Sequence, residues 1–166
     1  MGGEASMWQQ LADVISSLTD AYGRLTEAGK AKRDALVAVD MARIDELVKS
    51  EQAIVEEIEK LEASRRKALS AISAHEPSIG ESSSSGEVIS KCPDELRGKM
   101  KSVNDALREK VKAARRIEMD NGFLASTALG AVRYNLNRIG GAAVEPGYGG
   151  SGEEIVTREK KFDFEA

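Results

Sequence analysis

The chain is poor in the residues that build metal centres, disulfide frameworks and aromatic cores. It has one cysteine, Cys92, and one histidine, His75. One cysteine excludes a disulfide within the chain and makes a reducing compartment, the cytoplasm, the simpler expectation. Seventeen residues separate Cys92 from His75, and zinc needs about four ligands at short spacings, so the pair is not a zinc pattern. No sequence signature of a nucleophile surrounds Cys92, and no Gly-Lys-Ser/Thr follows the glycines from Gly147 to Gly152, so neither nucleophilic catalysis nor a phosphate loop is indicated. Aromatic residues make up only 4% of the chain. No apolar run approaches the ~20 residues that span a bilayer, and no secretory leader pattern opens the chain, so stable membrane insertion is not expected. Met1 to Ser6 fits the N-myristoylation pattern, which is short enough to arise by chance. The net charge of −4 is modest and points neither to nucleic acid nor to an anionic membrane.

What the sequence has is charge and aliphatic residues at helical spacing. Charged residues make up 31% of the chain, and this composition favours long helices packed on one another. From about Ala5 to Val39, steps of three and four residues select Trp8, Leu11, Ile15, Leu18, Tyr22, Leu25, Gly29, Lys32, Leu36 and Val39. This is the seam of a coiled coil. From Met41 to Ala74 the seam is Ile44, Leu47, Glu51, Ile54, Ile58, Leu61, Arg65, Ala68 and Ile72. Glu51 and Arg65 are charges on that seam, where a charge fixes register or partner choice at some cost in stability. Asp45 before Lys49, Glu56 before Lys60 and Glu62 before Arg66 are acids four residues ahead of bases, the pattern of a solvated helix face. Asp40 is placed to cap the second helix, and the short joint predicts an antiparallel hairpin.

Pro77 ends the second helix, and Ser78 to Gly86 reads as a low-complexity linker. A third helix begins at Pro93, with Asp94 and Glu95 in its first turn, where acids favour the helix dipole. Its stripe runs through Leu96, Met100, Val103, Leu107, Ala114, Ile117, Asn121 and Leu124. The spacing then slips by one position to Leu129, Val132, Leu136 and Ile139. Two readings of the slip stand side by side. One is the drift of a 3.6-residue helix against a 3.5-residue repeat. The other is a labile amphipathic segment offered to a partner, weakened by Gly122 and Gly130 at ~1 kcal/mol each. The basic residues Lys110, Lys112, Arg115 and Arg116 lack stacking aromatics and read as a solvated face rather than a nucleic-acid site. Gly140-Gly141 stops the helix, and the segment from Pro146 to Gly152 reads as unable to build regular structure.

The expected fold is therefore all-α: an antiparallel coiled-coil-like assembly of three long helices with a disordered C-terminal tail. The helical domain is placed at 5–140, with helices at about 5–39, 41–74 and 93–139 and a linker at 75–92. The flexible tail is placed at 141–166. No cofactor, metal or enzymatic activity is expected. The same stripes can close within one chain or across a homodimer, and a self-associating structural coiled coil is an alternative function.

Several stretches, in this order along the chain, resemble the FlgN family of flagellar export chaperones. Leu36 to Leu47 is similar to the family's first interhelical turn. Glu51 to Glu62 and Arg65 to Leu69 are similar to its second helix. Asn121, Leu124, Ser126, Leu129, Val132, Leu136 and Asn137 resemble its late third helix, and Tyr148-Gly149 with Gly152 resembles the Tyr-Gly-x-x-Gly element that follows. The resemblance implies a small cytoplasmic protein that binds the C-terminal segments of hook–filament junction proteins, keeps them unassembled and delivers them to the type III export gate. By resemblance, the client face is Leu124, Leu129, Val132, Leu136 and Ile139, and Tyr148 contacts the cytoplasmic domain of the gate.

Overall fold

The computed structural model describes residues 2–140, 144–148 and 154–156. Its elements are α1 (Gly2–Ala38), α2 (Met41–Ser73), α3 (Ser85–Lys91), α4 (Asp94–Ile139), β1 (Val144–Tyr148) and β2 (Glu154–Val156). Through Ile139 all regular structure is helical. The chain divides into two compact units, one ending at Asn121 and one beginning at Gly122.

In the first unit, α1 and α2 are joined by Val39 and Asp40 alone. The amide of Asp40 donates to the carbonyl of Ala35 at 2.9 Å and that of Val39 to Leu36 at 3.2 Å, the paired bonds of a Schellman ending. The position where glycine is usual holds Val39, at φ 55°. A left-handed conformation costs an L-residue about 1–2 kcal/mol. Asp40 then caps α2 by accepting from the Arg43 amide at 3.0 Å. The sequence reading carried the first seam through Val39; the left-handed turn removes Val39 from the helix and leaves its side chain exposed.

Ion pairs between Arg24 and Glu57 and between Lys32 and Glu51 join later residues of α1 to earlier ones of α2, so the two helices run antiparallel. α4 follows the direction of α1: Lys99 lies 3.7 Å from Asp13 near the start of both, and Ile117 faces Gly29 further along. The core contains two clusters. One joins Trp8, Leu11, Ala12 and Ile15 of α1 to Leu69 and Ile72 of α2, Val88 and Cys92 at α3, and Met100 of α4. The other joins Leu18, Ala21 and Leu25 to Ile58 and Ala114. Full burial of one large aliphatic side chain contributes about 1.5–3 kcal/mol, which outweighs the few tenths of a surface charge pair.

The segment expected to be a linker, 75–92, contains a fourth helix. Ser84 caps α3 in a reciprocal box: its hydroxyl accepts from the Glu87 amide at 3.2 Å, and the Glu87 carboxylate accepts from the Ser84 amide at 2.7 Å. Two orphan donors are satisfied this way. Ile79, between α2 and α3, is fully buried in the first core cluster and anchors the connection. The serines thus serve as caps and turn formers rather than as spacer.

The second unit holds the end of α4 from Gly122 onward and a two-stranded antiparallel ladder. Gly122 and Gly130 lie within α4, which is unbroken through Ile139. The strands pair Val144 with Val156 and Tyr148 with Glu154, with a register irregularity between them. The sequence reading denied regular structure to Pro146 and Gly147, yet both lie in β1. Proline lacks the ladder donor and is tolerated where a strand is an edge or bulged, and a two-stranded ladder is all edge. Phe162, Phe164 and the rest of the tail after Val156 lie outside the described residues.

Candidate functional site

At one level of the first unit, three helices bring polar groups into the core. Lys32 of α1 donates to Glu51 of α2 at 2.6 Å and to Glu118 of α4 at 3.1 Å. Both Lys32 and Glu51 are nearly buried. One turn along α4, Asn121 donates from Nδ2 to the Gly29 carbonyl at 2.8 Å and is 2% exposed. Gly29 makes room for α4: a β-carbon there would lie 2.9 Å from Cγ2 of Ile117. Two atoms of the cluster, Glu51 Oε1 and Asn121 Oδ1, have no hydrogen-bond partner among the described residues.

The electrostatics follow from one ammonium shared by two carboxylates. Burial alone would lower the Lys32 pKa, but its bonds to Glu51 and Glu118 outweigh burial and raise it. Burial raises the Glu51 carboxyl above the usual range; Lys32 opposes this and the neighbouring Glu118 adds to it. The cluster therefore keeps Lys32 charged and makes the second negative charge costly. It includes no cysteine, serine or histidine to serve as a nucleophile or shuttle, and what it can do is fix the register of α4 against the hairpin. Of the two seam charges read from sequence, Glu51 enters this cluster, whereas Arg65 is half-buried and pairs with Glu62 on its own helix at 2.9 Å.

Beyond Asn121, α4 carries the residues that the sequence singles out. Leu124 and Leu136 are half-buried, while Leu129, Val132 and Ile139 are 52%, 47% and 81% exposed. At about 100° per residue all five share one side of the stretch 122–139, within an arc of about 140°. α4 is unbroken where the seven-residue pattern slips, and three positions of the row that follows are open. Tyr148 is the last residue of β1, and its side chain lies outside the described residues.

The sequence reading passed over other exposed apolar residues of α4. Met119 is large and exposed in the first unit, and Phe123 and Tyr134 are large, exposed and within about 20° of one another in the second. The spacing of eleven residues was the available signal for that pair. The Arg138 guanidinium lies over the Tyr134 ring, 6.0 Å from its centre.

The remaining candidates for chemistry are structural. Cys92 caps the C-terminus of α3 and is buried, which raises its thiol pKa with only Arg97 opposing. Such a thiol is inert. His75 is exposed just past the end of α2. Among the described residues no group of three His, Cys, Asp or Glu could hold a metal ion, and no helix is long and apolar enough to cross a membrane.

Neither the curated proteins nor the solved structures searched contain a match. The sequence pattern of one protein family, described as FlgN protein, matches residues 7–154. That span runs from the start of the α1 core row through β1 and covers most of the chain. The chain belongs to the FlgN family, a family of flagellar export chaperones.

Proposed function

We propose that this protein is a cytoplasmic export chaperone whose client is the C-terminal segment of a hook–filament junction protein. The coiled-coil-like bundle formed by α1, α2 and α4 is the scaffold. The row Leu124, Leu129, Val132, Leu136 and Ile139 is the client face, and Tyr148 is the contact with the cytoplasmic domain of the type III export gate. Holding, not catalysis, is the activity.

The observation that carries this reading is the apolar row on one side of the last stretch of α4, from Leu124 to Ile139, with three of its five positions exposed. An amphipathic client helix would lie along it through anchors three, four and seven residues apart. Ordering a client segment on binding takes up about 2–5 kcal/mol of the contact energy. Capture then stays reversible, as delivery requires.

The test combines binding and export. Leu129→Asp with Leu136→Asp is expected to abolish binding of a junction-protein C-terminal peptide in calorimetry while helicity by circular dichroism is retained. Tyr148→Ala is expected to leave that binding intact and to reduce export of the client. Normal peptide binding by the double variant would refute the client face, and loss of peptide affinity in Tyr148→Ala would refute the division of roles.

A further inference from the structure

The stretch of α4 from Gly122 to Ile139 carries charge of one sign only. Arg133 and Arg138 are both exposed, and no acid or lysine stands between residues 122 and 139. From Asp94 to Asn121 the same helix mixes six acids with eight bases, and the whole chain has a net charge of −4. The helix dipole accounts for one of the two arginines. Arg138 lies in the last turn of α4, where a cation favours the carbonyl end. Arg133 lies before that turn.

The two arginines stand at the edges of the row Leu124, Leu129, Val132, Leu136 and Ile139. At about 100° per residue, Arg133 lies about 40° beyond Leu129 at one edge, and Arg138 about 40° beyond Leu124 at the other. They are about 8 Å apart along the axis. A coiled-coil seam is bordered in the same way by the charges that set partner choice. Neither arginine has an ion-pair partner among the described residues. Arg138 is also steadied from below, since its guanidinium lies over the Tyr134 ring. A stacked guanidinium keeps its edge N–H groups for a carboxylate, which it can bind through two parallel bonds. A depression lined by Asn135, Arg138 and Ile139 opens beside it.

An apolar row between two cations fits an amphipathic helix better than a free anion, which would leave the row uncovered. We propose, resting on the reading of this row as the client face, that the client segment is an acidic amphipathic helix. Its carboxylates border its own apolar stripe and pair with Arg133 and Arg138. The apolar row holds the segment, and the two arginines select its charge. Charges at the rim of an interface act in this way, on encounter and specificity more than on holding.

Calorimetry of the full chain with two forms of the junction-protein C-terminal peptide tests this. One is the native peptide; in the other each Asp and Glu is replaced by Asn and Gln. At low ionic strength the native form is expected to bind about ten-fold tighter, and the gap to close at about 1 M salt, where the screening length is about 3 Å. Arg133→Gln with Arg138→Gln is expected to bring the native peptide down to the affinity of the neutralised one and to leave the neutralised one unchanged. A double-mutant cycle reads that coupling directly. Both side chains are exposed, so circular dichroism should be unchanged. A native peptide with no acid bordering its apolar stripe overturns the proposal. So do equal affinities of the two peptides for the wild type, or a loss in the arginine variant that is the same for both. Self-association through the row overturns it as well, seen in sedimentation as a dimer that Leu129→Asp with Leu136→Asp dissolves and the peptide does not. Equal, measurable binding of both peptides leaves the client face standing. Failure of the native peptide to bind at all removes the client face and this inference with it.

Discussion

At Gly29 the approach of α4 leaves no room for a β-carbon, since Ile117 stands where it would go. Gly29→Ala therefore sets overpacking, about 2 kcal/mol, against a gain in helix propensity of about 1 kcal/mol. The net expectation is a loss of about 1 kcal/mol in urea unfolding. The same substitution at Gly23, where the nearest atom is the flexible end of Lys110 at 3.9 Å, carries no such penalty. Glu51 gives a second expectation, in pH. Its folded pKa is raised, so its contribution to stability is fully present below the unfolded carboxyl value and is lost as pH rises through the folded one. Between pH 7 and about 4.5, the ordinary carboxyl value, the wild type should gain stability on acidification relative to Glu51→Gln. Parallel denaturation series across that window measure it; parallel curves for the two proteins would remove the raised carboxyl from the account. Glu51 was legible in the sequence as a charge on an apolar seam. Its partners were not, because Lys32 and Glu118 are 86 residues apart and only the packing of α4 on the hairpin brings them together.

At the scale of elements, α1, α2 and α4 could be read from three-four spacing because each buries one stripe against the others. Asp40 could be read because an acid at an N-cap has a local cause. α3 was missed although Ser84-Ser85-Gly86-Glu87 spells a capping box, since seven residues are too few to show a helical period and the serine run masked the signal. Phe123 and Tyr134 were missed because eleven residues separate them and the apolar residues between them, Leu124, Leu129 and Val132, set a different stripe. The end of α4 brings its own expectation. Among the described residues nothing lies within 4 Å of where a β-carbon would stand at Gly122 or Gly130. Gly122→Ala with Gly130→Ala should therefore stabilise the helix by about 1 kcal/mol per site without a clash. If the weakness of this segment sets client affinity, the double variant should bind the client peptide more tightly and release it more slowly. Unchanged release in stopped-flow displacement would show that the glycines do not set it.

At the scale of the molecule, the two parts of α4 differ in what they pack against. Up to Asn121 its apolar side is consumed by the hairpin and locked in register by Lys32, Glu51 and the Asn121–Gly29 bond. From Gly122 onward Leu129, Val132 and Ile139 are open. Nothing in the sequence pattern alone marked where the packed stretch ends, because apolar residues occur on both sides of that point; the buried polar cluster marks it. The central claim is that the open stretch is where a client is held. Hydrogen exchange of backbone amides, with and without a junction-protein C-terminal peptide, measures this directly. The account predicts that the peptide slows exchange chiefly between residues 122 and 139. Slowing confined to α1 or α2, with 122–139 unchanged in the bound state, would contradict it.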